Sequence, residues 1–172
     1  MRPYSLLVLI PVIAAGCQPA TSRVSIDNPD LAAFVNLMMP RTIEIQRGFT
    51  QPREIEGSER ANGVEVVLAA KDAFGDDVKC VGTFIFELYT LRMASGDRYG
   101  KRIGFWTVSI NTDETMRTFW DRLSRFYNFQ LQLDEGPLPP GRYILTAQLL
   151  FPTGDKLFDE YSFAWATGEK SE

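Results

Sequence analysis

VEVVLAA (Val64–Ala70), KDAFGDD (Lys71–Asp77) and VKCVGTFIFELYTL (Val78–Leu91) follow one another without a break. The first is an apolar run of strand length. In the last, Val78, Cys80, Gly82, Phe84, Phe86 and Leu88 share one parity and Lys79, Val81, Thr83, Ile85, Glu87 and Tyr89 the other, the period-two pattern of a strand. Between them Asp72, Gly75 and Asp76 supply the side-chain acceptors and positive-φ tolerance of a tight reversal. The stretch therefore reads as two antiparallel strands, with a bulge expected at Gly82, where a long strand lacks a side chain.

Strand patterns continue on both sides. Upstream, Thr42–Phe49 alternates Ile43 and Ile45 with Glu44 and Gln46, and 51–63 is charged and turn-rich, a surface loop. Before it, Asn28 as cap, Pro29 in the first turn and Pro40 as stop predict a helix over Pro29–Met39. Its Leu31, Phe34, Val35 and Met38 are expected to pack on the domain. Downstream, Arg92–Arg102 reads as a polar loop, and Ile103–Ile110, Tyr127–Leu133, Arg142–Phe151 and Leu157–Trp165 as strands. One segment changes period: Met116, Phe119, Trp120 and Leu123 fall on one arc at helical spacing, which predicts a helix from about Thr112 to Arg125 with Asn111 and Glu114 as a capping box. Asp134–Gly141 (DEGPLPPG) is a rigid turn. Seven strands without alternating βαβ units favour an antiparallel sandwich.

The apolar strand, the Asp72–Asp77 turn and the following VKCVGTFIF resemble the early hairpin of bacterial Ig-like domains. The resemblance covers residues 64–91 and implies an Ig-like sandwich; with the patterns above, the expected chain is mainly β, an antiparallel Ig-like β-sandwich of about seven strands with one inserted connecting helix and a short N-terminal helix. It implies no catalytic residues.

The N-terminal segment sets an address. Met1 and Arg2 precede an apolar run broken by Pro11, then Ala14, Ala15, Gly16 and Cys17, the layout of a signal peptide and too short to span a bilayer as a helix. Small residues directly before a cysteine resemble the lipobox of bacterial lipoproteins. That resemblance implies cleavage after residue 16, diacylglycerol and palmitate-type acylation at Cys17, and a cell-envelope location. Gln18 where inner-membrane proteins often carry Asp points to the outer membrane. Several acyl chains on one residue anchor stably, whereas one chain does not. Residues 17–27 then serve as a tether, 28–166 as a single domain and 167–172 as a charged tail.

Composition narrows the chemistry. There is no histidine, which removes Ser-His-Asp and Cys-His catalysis and all histidine-containing metal sites. The chain carries 18 basic against 22 acidic residues and no dense basic patch, so nucleic acid is not an expected partner. With Cys17 lipidated, Cys80 has no partner in the chain and is expected to be buried. Asp72, Asp76 and Asp77 do not fit a Ca²⁺-loop spacing, no cofactor motif is present, and a Ser95–Lys101 dyad lacks any oxyanion-hole motif. Glu87 shares a parity with Lys79 and is expected to be solvated; Trp106 and Trp120 point to the core.

The candidate partner-binding residues are Arg117, Arg122 and Arg125, on the polar side of the expected helix and suited to an acidic surface, together with Tyr99, expected to be exposed in its loop. Asp121, four residues before Arg125, offers the competing reading of a self-paired solvated face. The functional expectation is a membrane-anchored, noncatalytic binding or structural module with a possible envelope protein partner. The alternatives are an accessory subunit of an envelope assembly or secretion complex, or a hydrolase with two inward-facing carboxylates.

Overall fold

Residues 29–93 and 96–166 are described by a computed structural model; the leader, Cys17, the tether, Ser95 and the charged tail lie outside the described residues. The order is α1 (Pro29–Met38), β1 (Thr42–Ile45), β2 (Gln51–Arg53), β3 (Gly63–Lys71), β4 (Gly82–Leu91), β5 (Tyr99–Ile110), α2 (Asp113–Phe119), β6 (Tyr127–Gln132), β7 (Gly141–Leu150) and β8 (Lys156–Trp165). The chain is mainly β, in two antiparallel sheets. The first sheet is built on β3. Its residues 63–68 pair with β6 on one edge, while 63–65 and 68–71 pair with β2 and β1 on the other, so β1 and β2 act as one interrupted edge strand. The second sheet runs β5-β4-β7-β8.

The parity holds, but β3 and β4 form no hairpin: they lie in different sheets, and β4 begins at Gly82 rather than Val78. Phe84, Phe86 and Leu88 are fully buried and face Val64, Val66 and Leu68 of β3 and Tyr127 and Phe129 of β6 across one core. Phe129 lies 5.1 Å from Phe84 and 4.8 Å from Phe86 between ring centroids, within the range of favourable tilted pairs. Two polar links tie the sheets at their margins. Trp106 Nε1 of β5 donates to the Gln132 carbonyl of β6 (2.6 Å), and the Ile45 amide of β1 donates to Asp159 Oδ2 of β8 (2.7 Å). Tyr143 at the start of β7 donates its hydroxyl back to the Pro139 carbonyl (2.5 Å). The Asp72 carboxylate accepts the amides of Phe74 and Asp76 (2.8 and 3.1 Å), and Gly75 has φ +87°, so this acidic turn is built for reversal.

Four expectations change. Gln51–Arg53 is a strand: Pro52 lacks an amide to donate, which an edge strand tolerates. Gly82 marks a close approach, because a Cβ there would stand 2.7 Å from the Leu150 carbonyl oxygen; the irregular pairing of β4 lies instead around Tyr89. Tyr99 already belongs to β5 rather than to a loop. Met38, expected on a packed helix face, is 56 % exposed, and Met39 packs against the core in its place.

The inserted helix is the largest correction. It stops at Phe119, where Trp120 adopts an extended backbone (φ −91°, ψ 116°) and bridges to Tyr127. The Asp121 carboxylate accepts the amides of Leu123 (2.7 Å) and Ser124 (3.4 Å), a side-chain competition that starts a turn in place of another helical one. Leu123 is consequently 96 % exposed. The cap also shifts by one residue: Thr112 and Thr115 form the reciprocal capping box, not Asn111 and Glu114. The aromatic end of the helix still covers the core as expected, with Phe119 stacked on Phe129 at 5.2 Å and Trp120 edge-on to Tyr127 at 4.9 Å.

Candidate functional site

The outer face of the β5-β4-β7-β8 sheet gathers most of the chemistry. Register places Phe105, Glu87, Thr146 and Glu160 in one cross-strand row and Thr107, Ile85, Gln148 and Phe158 in the next. Glu87 points away from the core, as its parity with Lys79 implies, but it is largely covered rather than freely solvated and pairs with Arg102 (2.7 Å). Glu160 pairs with Arg98 and accepts the Tyr99 hydroxyl at 2.5 Å. Tyr99 also stands edge-on to Tyr89 with centroids 5.2 Å apart. It is therefore half-buried and engaged, not the free surface ring expected of it.

The electrostatics of this cluster follow from those bonds. The Tyr99 hydroxyl, assisted by Arg98, holds the Glu160 carboxyl below its usual range, while the bond to Glu160 raises the Tyr99 phenol. Burial and then Glu87 raise that of Tyr89. Two strand spacings of about 4.8 Å separate Glu87 from Glu160, a distance at which carboxylate pairs hydrolyse glycosides. A general acid needs its pKa raised, however, and Glu160 moves the other way. What the cluster can do is pin the start of β5 over the face, covering Ile144 and Thr146, both buried although they point away from the core.

Beyond this charged rim the face changes character. Phe105 and Phe158 are 53 % and 51 % exposed, Leu150 is also exposed, and Ile85 lies between them. The intervening Thr83, Thr107 and Gln148 carry no charge. The Arg102 guanidinium sits 5.1 Å over the Phe105 ring at the edge of the patch. Apolar side chains ringed by polar ones are the usual anatomy of an interaction surface.

Arg117, Arg122 and Arg125 do not form one basic helix face. Arg117 is on α2, Arg122 is exposed in the turn after it, and Arg125 sits at φ +62° with its guanidinium donating to the Asp77 carbonyl (3.0 Å). Asp121 is committed to the turn amides, so the expected Asp121–Arg125 side-chain pairing is also absent from the geometry. A shallow hollow of about 360 Å³ lies beside this turn, between Phe49, Arg53, Val67, Phe126 and Asn128; its Arg53 is already paired with Glu65 at 2.9 Å. Tyr99 belongs to the other sheet's outer face, so the four candidates do not converge.

Cys80 is buried as expected. Its amide donates to the Tyr127 hydroxyl (2.7 Å), and its thiol lies 3.5 Å from that oxygen. Burial pushes the thiol up to about 11, partly offset by the Tyr127 hydrogen bond, and burial also raises the Tyr127 phenol. Since the thiolate is the nucleophile, a thiol reagent at pH 8 should label the native protein far more slowly than the urea-unfolded one; equal rates would place Cys80 at the surface. The unfolded thiol ionises near 9, so this group's support for the fold is intact below that pH and is lost as the pH rises from about 9 to about 11.

No protein-family model matches the chain, and no curated protein matches it.

Proposed function

We propose that the chain is a lipid-anchored envelope protein whose Ig-like β-sandwich works as a noncatalytic binding module. The sandwich reading rests on topology. In Ig lettering β1 and β2 stand for A, β3 for B, β4 for C, β5 for C′, β6 for E, β7 for F and β8 for G, giving A-B-E against C′-C-F-G. The Tyr143 bond to Pro139 at the E–F corner is the kind of tyrosine corner found in these domains. The helix α2 takes the place of a strand between C′ and E. The anchor reading rests on the small residues before Cys17 and on the tether that follows. Fully extended, residues 17–27 reach at most about 40 Å, which keeps the domain close to other proteins of the same membrane.

The observation that carries the binding role is the pair of half-exposed rings Phe105 and Phe158 on the outer face of the second sheet, with Ile85, Thr107 and Gln148 between them and charged side chains at the margin. Its partner is a protein with a matching flat, largely apolar surface, which also suits the role of an accessory subunit in an envelope complex. The test is a pull-down from membranes in mild detergent, comparing the parent with a Phe105→Asp/Phe158→Asp double variant and with Phe74→Asp, whose exposed ring lies on the 71–77 turn. The double variant should keep its thermal midpoint and lose the partner, while Phe74→Asp keeps it. Capture of the same proteins by all three chains, or of none by the parent, contradicts the reading.

A further inference from the structure

At the end of the molecule where β4 finishes and β5 and β7 begin, the inner side of the second sheet extends beyond the first. The space left there is a cleft of about 420 Å³, within the ~300–1,000 Å³ range of small-molecule sites. Its apolar lining comes from Leu91, Ile103, Leu133, Pro137, Pro139 and Pro140.

The outer wall is held in place before any ligand arrives. The Leu133 amide donates to the Asn62 carbonyl (2.8 Å), the Leu138 amide to the Ala61 carbonyl (2.7 Å), and the Tyr143 hydroxyl to the Pro139 carbonyl. Three prolines in four residues fix their own φ angles. A preformed wall spares a ligand the cost of ordering it.

The charges at the cleft are unequal. Lys101 and Arg142 line it and are exposed, and neither enters an ion pair among the described residues. The Arg142 guanidinium has a weak contact with the Met93 sulfur (3.2 Å). Glu135 is the one acid in the lining. Two unmatched cations over an apolar floor complement a molecule with an apolar body and an anionic head.

We infer that this cleft binds a small apolar carboxylate, its body against Ile103, Leu133 and the prolines and its head between Lys101 and Arg142. The site lies away from the Phe105–Phe158 face and does not depend on the lipid anchor.

Benzoate and its neutral isostere benzamide are the probes, titrated into the ¹⁵N-labelled full chain in nanodiscs and followed by amide shifts. Benzoate should give saturable shifts confined to residues 90–91, 101–103 and 133–143, with benzamide at least about tenfold weaker. Lys101→Gln and Arg142→Gln should each weaken benzoate about threefold, a factor typical of one exposed charge, and Glu135→Gln should strengthen it similarly. All three side chains are exposed, so the variants keep the parent's spectrum elsewhere. The inference is overturned if benzoate gives no saturable shift up to about 10 mM, if benzamide binds as well, if the charge variants leave affinity unchanged, or if the shifts map to the Phe105–Phe158 face.

Discussion

Phe129→Ala should lower the unfolding free energy by about 3–5 kcal/mol, the usual cost of removing a buried aromatic ring. Phe129 is fully buried. Its ring meets Phe84 and Phe86 of the opposite sheet, Phe119 of α2 and Tyr127 of its own strand, with centroids between 4.8 and 6.2 Å. Removing it takes contacts from both sheets and from the helix at once. The space left cannot close cheaply, because Phe84 and Phe86 are held by pairing on both edges of β4. Against a total of about 5–15 kcal/mol for a domain, the loss is large enough to move a urea midpoint by more than 1 M at the usual slopes. Leu123→Ala, at the exposed tip of the turn, should stay within about 0.5 kcal/mol of the parent. A Phe129→Ala protein as stable as the parent would mean that the two sheets do not share this core.

The second large effect is expected at Gly63, where β3 is flanked by β2 and β6. A Cβ there would stand 2.5 Å from the Leu131 carbonyl oxygen, 2.5 Å from Ile55 Cδ1 and 3.0 Å from Gln132 Cα. Ile55 can turn aside, but the Leu131 and Gln132 atoms are backbone of the paired strand, so only separation of β3 from β6 relieves the clash. Gly63→Ala should therefore cost about 1–3 kcal/mol, the range for overpacking. Gly48→Ala is the informative contrast: its Cβ would meet nothing within 4 Å, and its φ is not left-handed. There the loss of unfolded-chain freedom dominates, and a gain of up to about 1 kcal/mol is expected. Equal midpoints for the two variants in urea denaturation would show that the β3–β6 register is wrong.

The two strands within Val64–Leu91 are legible because alternation is a local property, and parity alone puts Phe84, Phe86 and Leu88 on the inner face; that they enter opposite sheets rather than pairing as a hairpin is not. Gln51–Arg53 was hidden because a short edge strand with a proline has neither alternation nor propensity in its favour. Residues Tyr99–Arg102 read as loop because what makes them strand is distant: the Tyr99 hydroxyl reaches Glu160, sixty-one positions away. The apolar arc at 100° per residue continues to Phe126 and so predicts a longer helix, whereas the Asp121 side chain stops helical bonding through hydrogen bonds that periodicity does not register. With the helix ending at Phe119, Arg122 and Arg125 do not share a face with Arg117. The exposed patch left a trace in the sequence. Phe105 and Trp106 are neighbours on one strand, so one of them must point outward, and Trp106 points inward over Gly104, where a Cβ would touch its ring. That Phe158 joins Phe105 on the same face depends on strand order, which no local pattern encodes.

The proposed anchor at Cys17 is tested most directly by expressing the parent and Cys17→Ser with a clickable palmitate analogue, then fractionating the cells. Label on the parent and its recovery in the membrane fraction are expected, with no label on the variant and its release from the membrane or retention as uncleaved precursor. A Cys17→Ser chain that is cleaved and membrane-bound as before would contradict it.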